Sequence, residues 1–265
     1  MQGTRHKVSG PLTRDVRRKN MNTKYIIFLL VLLLPGWAIA DDSPLPAKLF
    51  DVTLDYIHAN GPDEDAADFI AMMGQHSWDM RESIARETIP FITNSDPKKV
   101  SGALAILYRL RGYRPISDLV GAGGSAWEQK YKPATFWEEL DQSVCSRFEH
   151  FHTLSNSAVF HNLALYLGVS PSDGSRQELL RIATETTEKD QAVICLAWHR
   201  DPKDMPLLLP FMLENTQTSK SLPYHFRNSY GTASIPYLKQ AIEMAQSEST
   251  RREAINELNK IEAMK

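Results

Sequence analysis

Apolar positions recur along this chain with the spacing of helices and not of strands. Leu49, Phe50, Leu54 and Ile57 line one face of a predicted helix, and Gly61 stands where a left-handed residue would end it. Asp63, Glu64, Asp65 and Asp68 then load a first helical turn with negative charge, which the helix dipole favours. Asp96-Pro97 supplies an N-cap followed by proline at the first helical position, opening a helix over Lys98 to Arg111. Val100, Leu104, Leu107 and Leu110 share one face of that helix, and Gly112 closes it. No long alternation of Val, Ile and Thr occurs, so the pattern predicts an all-α protein.

The second half of the chain repeats. The run Ala158 to Ala164 leads through Pro171-Ser172-Asp173-Gly174 to a second helix, Gln177 to Thr187. The run Ala192 to Trp198 leads through Asp201-Pro202 to Met205 to Leu213, and Tyr224 to Tyr230 leads through Gly231 to Ile235 to Ile242. Pro206 and Pro236 occupy the same phase, 30 residues apart, and Arg252 to Leu258 begins an incomplete last unit. One helix pair cannot bury its apolar face alone, so paired helices at this period predict neighbours that stack and share a core.

The pattern resembles HEAT-like repeats, of the short type also seen in the phycobilisome-lyase family. The resembling residues are Ala192 to Ala197 with Asp201-Pro202, and Tyr230-Gly231 with Ile235-Pro236-Tyr237-Leu238. The resemblance covers residues 155–265, with a fainter echo at Ile89-Pro90-Phe91 and Gly102 to Ala105. Most units lack the Gly usual between paired helices in that family. The resemblance implies an α-solenoid of stacked antiparallel helix pairs, a short right-handed superhelix, with a more irregular helical N-terminal section over 41–120 and repeats over 134–265. The alternative is an irregular helical bundle. Gly121-Ala122-Gly123-Gly124-Ser125 and Lys132-Pro133 punctuate a connecting loop over 121–133.

Upstream of these helices the chemistry changes. Tyr25 to Leu34 are ten apolar residues behind a basic approach that includes Arg14, Arg17, Arg18, Lys19 and Lys24. Pro35-Gly36 and then Ala38-Ile39-Ala40 complete the pattern of a signal peptide cleaved after Ala40. The run is about half of the roughly 20 residues a membrane span needs, so a stable anchor is not expected after cleavage. Residue 41 is Asp, not Cys, which excludes a lipoprotein, and Met21 offers a second translation start. The predicted location is periplasmic or secreted. The leader holds seven of the 30 Lys and Arg and one of the 32 Asp and Glu, leaving 225 residues at formal charge −8. Such a surface repels phosphate backbones and excludes nucleic acid as an expected partner.

Candidate chemistry is sparse. Gly121 to Ala126 formally matches a dinucleotide turn, but that turn works only between a buried strand and a helix. His150 and His152, two apart, point away from each other on a helix, so with Glu149 and His161 they make a metal site only if the helix ends between them. Cys145 and Cys195 fall in different units of the repeat, where helix spacing of about 8–10 Å disfavours a bridge; two free thiols are expected. Trp127, Tyr131, Phe136 and Trp137 gather at the join between the two sections. They either plug a seam or receive a ligand, and Trp127 and Tyr131 share a helical face at i, i+4.

Better recognition candidates are Trp198 with Arg200 and Tyr224 with Arg227, at comparable places in successive units, because aromatic and Arg side chains dominate binding hot spots. HEAT-like arrays mostly present a surface to another protein. The expectation is therefore an exported, non-enzymatic protein-binding scaffold without a cofactor, with a basic protein as the natural partner of an acidic chain. An immunity-type inhibitor of an exported toxin is one variant of this, and a hydrolase or lyase using His150, His152 or Glu149 is the rival.

Overall fold

A computed structural model describes residues 44–64, 66–68, 78–112, 134–170, 172–186 and 188–264. The protein is all-α, and the described residues contain no strand. Among the described residues twelve helices follow one another: α1 Pro44–Asn60, α2 Trp78–Thr88, α3 Pro97–Gly112, α4 Ala134–Cys145, α5 Phe148–Leu154, α6 Ser157–Gly168, α7 Asp173–Glu185, α8 Lys189–Trp198, α9 Met205–Leu213, α10 Gln217–Tyr230, α11 Ile235–Met244 and α12 Glu248–Glu262. Short 3-10 turns, Ile89–Thr93, Pro202–Asp204 and Gly231–Ser234, follow α2 and lead into α9 and α11.

Local sequence sets most of these boundaries. Gly61 ends α1 with φ +78, and its N–H donates to the Ile57 carbonyl at 2.8 Å, as the spacing predicts. Asp96 accepts from the Lys98 N–H at 2.9 Å, and Pro97 begins α3. Asn156 caps α6 by accepting from Val159, and Ser172 caps α7 by accepting from Ser175. Thr216 and Ser219 form a capping box on α10, which therefore starts at Gln217, seven residues before the expected start at Tyr224. Pro223 inside a polar stretch conceals that first half in the sequence. Pro206 and Pro236 stand at the start of α9 and α11, each directly after a 3-10 turn, so their shared phase corresponds to a shared local geometry.

Packing runs in chain order between helices two or three places apart. α3 packs on α6, α6 on α8, α8 on α10 and α10 on α12. Beside that row, α4 packs on α7 and α9 on α11, while α7, α9 and α11 also contact the helices that follow them. Leu163, Leu196 and Phe226, one on each of α6, α8 and α10, are buried in one connected core that reaches from Ile57 to Ile261. The α6–α8 contact is close at Gly168, where an added Cβ would lie 2.7 Å from the Cys195 Cβ. Leu45–Lys265 form one compact unit. No helix among the described residues is long and apolar enough to cross a membrane.

Candidate functional site

Polar groups collect at both ends of the α6 and α8 helices, under opposite conditions. At the C-terminal ends of α3 and α6, Arg111 forms a two-pronged ion pair with Asp141, its Nη2 donating to Oδ2 at 3.0 Å. Tyr166 donates its hydroxyl to Asp141 Oδ1 at 2.8 Å, and Ser170 donates to Oδ2 at 2.6 Å. Ser175 and Ser172 extend the chain of hydroxyls at 2.7 and 2.8 Å. All of Arg111, Asp141, Tyr166, Ser170 and Ser175 are buried. The Arg111 guanidinium lies over the Trp137 and Tyr166 rings, 5.0 and 5.5 Å from their centroids. Burial opposes its charge, but Tyr166 and Asp141 hold it above its ordinary pKa.

Two further ion pairs follow. Arg176 binds the fully buried Asp204, with its Nε donating to Oδ2 at 3.0 Å. Arg227, in the last turn of α10, binds the fully buried Glu257 of α12. His199, just past α8, reaches the Leu167 carbonyl through Nε2 at 3.0 Å, and burial lowers its pKa. These links span nearly constant separations along the chain: 30 residues for Arg111–Asp141, 28 for Arg176–Asp204, 30 for Arg227–Glu257 and 32 for His199–Leu167. Ser157–Glu188 and Ser219–Thr250 add two at 31.

The sequence-predicted recognition residues divide between this buried edge and the surface. Arg227 is spent on Glu257, and its guanidinium also lies 5.6 Å from the centroid of the half-buried Tyr224 ring. Trp198 packs partly against the core, and its Nε1 is buried without a hydrogen-bond partner among the described residues. Arg200 is exposed, with φ +57, a left-handed backbone unusual for a side chain of its size. Trp127 and Tyr131 lie outside the described residues.

The histidines do not converge. His150 Nε2 meets the Asn94 carbonyl at 3.1 Å, while His152 stands at the edge of the Phe160 ring, centroids 6.3 Å apart. Glu149 is held by Arg181 at 2.7 Å. No group of three metal-ligating side chains forms among the described residues. Cys145 and Cys195 are free thiols. Burial pushes the Cys195 thiol up to about 12, which removes its nucleophilicity at neutral pH.

At the opposite, N-terminal ends of α6 and α8 lies an open cleft of about 550 Å³. Asn156, Ser157 and His161 form one wall, Glu188, Asp190 and Gln191 the other, and Glu64 reaches in from the segment after α1. Ser157 donates to Glu188 Oε2 at 3.0 Å. Among the described residues, no Lys or Arg pairs with Glu64, Glu188 or Asp190, whereas the carboxylates of the buried edge are all matched. In the sequence His161 reads as a further member of the His150 and His152 group, and Glu64 as part of a helix start. Glu188 and Asp190 carried no signal of their own except their place about one repeat after Asn156-Ser157.

Comparison of the chain with protein-family models, with curated proteins and with solved structures gives no match.

Proposed function

We propose that the chain is an exported α-solenoid of HEAT-like helix pairs whose work is to present a surface to a partner protein. The observation that carries this reading is the recurrence of 28 to 32-residue spans among the side-chain links between helices, together with the packing of helices in chain order. A stack of equivalent units produces both, because each unit touches only its neighbours and equivalent positions meet one period apart. In a solenoid, the surface lined by successive helices is continuous and suits extended contact with another protein. The buried carboxylates Asp141, Asp204 and Glu257 are each engaged by an Arg and serve cohesion. The rival hydrolase reading draws no support from His150, His152 and Glu149, whose contacts lead to three different places.

Truncation tests the architecture behind this reading. A chain ending after Glu214 lacks α10, α11 and α12, and as a stack it retains a cooperative urea transition with a slope reduced in proportion to the surface it still buries. Loss of any cooperative transition would show that the helices form one indivisible bundle. Export is tested by expressing the full chain in a bacterial host and sequencing the product outside the cytoplasm, which should begin at Asp41.

A further inference from the structure

The α9 helix, Met205–Leu213, has no polar side chain along its nine residues. A helix apolar all round ordinarily lies inside a fold. Here Met205, Leu208 and Met212 supply the core contact, while Pro206, Leu207 and Pro210 are exposed, Leu207 by 48%. Its counterparts are more polar where they meet water. α7 exposes Gln177, Thr184 and Glu185, and α11 exposes Lys239, Gln240 and Glu243 as well as Pro236 and Met244. Positions 206, 207 and 210 share one face of α9, and Lys203 precedes them at the i−3 and i−4 spacing. Around this face the charge is opposite to that of the chain. Asp201 and Asp204, in the turn before α9, are both drawn to Arg176. Arg200 and Lys203, from the same stretch, are exposed and pair with no carboxylate among the described residues.

We infer that the outer face of α9 is the docking site for an apolar segment of a partner protein that carries Asp or Glu beside its apolar residues. The apolar side chains of that segment lie on Leu207 between the Pro206 and Pro210 rings, and its carboxylates meet Arg200 and Lys203. Charge complementarity selects the occupant: the two unpaired cations repel a basic segment and give a neutral one no ionic partner. The proline rings have no rotamer freedom to lose on contact, so covering them costs little order. An anionic bilayer would face the whole chain of formal charge −8, whereas one short segment meets the local cations. The inference rests on the protein-binding reading. It keeps Arg200 among the recognition residues and replaces their aromatic members with the face of α9.

The probe is a short fluorescent peptide built of Glu and Leu, titrated by anisotropy against the chain beginning at Asp41. A chain of net negative charge repels such a peptide, so binding requires a local site. Leu207→Ser is expected to weaken it roughly tenfold, and Ile255→Ser, which removes an exposed aliphatic side chain from α12, less than about twofold. Arg200→Gln/Lys203→Gln should weaken it severalfold, and Lys98→Gln/Arg252→Gln, which removes two other exposed cations, less than about twofold. Equal losses in either comparison, or equal affinity for a Ser and Leu peptide, would overturn the inference. So would sedimentation of the chain with phosphatidylglycerol vesicles, or a dimer, that Leu207→Ser abolishes, since the face would then belong to lipid or to a second copy. Helical circular dichroism checks that each variant is folded.

A photo-crosslinking residue placed at 207 or at 255 separates this inference from the reading beneath it. A protein captured at 207, through an Asp- or Glu-bearing segment and displaced by the Glu and Leu peptide, is the expected result. Capture at 255 alone would overturn the α9 face and leave the protein-binding reading standing. Capture at neither position would overturn both.

Discussion

At the C-terminal ends of α3 and α10, Arg111 and Arg227 are sunk against Asp141 and Glu257, carboxylates of which at most a few per cent is exposed. At the N-terminal ends of α6 and α8, Glu188 and Asp190 line an open cleft beside His161 with no Lys or Arg paired to them among the described residues. The same helical layer thus has one edge where charge is matched and dry and another where it is unmatched and wet. The number of carboxylates does not distinguish the edges, three standing at each. Burial does, because removing an ion from water is tolerable only where a partner is already in place. The buried edge can fix the register between neighbouring helices, since a slip would strand a charge. The open edge is free to meet something else.

The largest effect expected from this contrast comes from Asp141. Asp141→Asn removes the carboxylate charge that the buried Arg111 pairs with and weakens the acceptors for Tyr166 and Ser170, at a cost of about 3–5 kcal/mol. An exposed pair on the same protein supplies the control. Glu149, 80% exposed at its side chain against Arg181, should leave stability almost unchanged when replaced by Gln. Urea denaturation of the two variants measures the difference, and comparable losses would show that the Arg111 network is not the structural element described.

Acid provides the second test. His225 is buried, its Nδ1 has no partner among the described residues, and burial lowers its pKa from 6.5 to about 4. Between those two values the unfolded chain binds the proton and the folded chain does not, so stability rises with pH across that window and falls as acid is added. The loss attributable to His225 grows as pH drops below about 6.5 and approaches roughly 3 kcal/mol near pH 4. Burial moves His199 in the same direction and adds to the effect. Replacing His225 with Leu should flatten the profile of urea midpoint against pH between 6.5 and 4. An undiminished slope would place the acid sensitivity elsewhere.

Much of the helical framework could be read from the chain, and the buried edge could not. Gly61, Asp96-Pro97 and the phase of Pro206 and Pro236 mark real boundaries, because caps and prolines act on the backbone within one turn of where they stand. The first half of α10 stayed hidden behind Pro223, whose effect on a helix depends on whether a capping box upstream has already started it. Arg111 and Asp141 are a pair only if the register between α3 and α4 is known, and 30 residues of chain separate them. The sequence shows the period in its apolar residues. Applying the same period to charges would have proposed Arg227–Glu257, and it would also have proposed Ser157 beside Glu188. Arg227 stands beside Tyr224 and Phe226 in the sequence, but its ion pair with the buried Glu257 depends on a register that only the fold supplies. A charge reversal there would test folding more than binding.

The smallest stability effect belongs to the open edge, and its smallness is informative. Neutralising Glu64, Glu188 and Asp190 together removes favourable contact between two carboxylates and the start of α8, at about 0.3–1 kcal/mol each at low salt. It also relieves repulsion among three like charges that face one cleft, which acts in the opposite direction. The Ser157 hydroxyl keeps an acceptor when Glu188 becomes Gln. The net change in unfolding free energy should therefore stay within about 1 kcal/mol, and added salt should shrink it further, since water reaches all three groups. Urea titrations at low and high salt measure this directly. A loss comparable to that of Asp141→Asn would mean that the cleft is part of the cohesive network, and the two edges would no longer differ in kind.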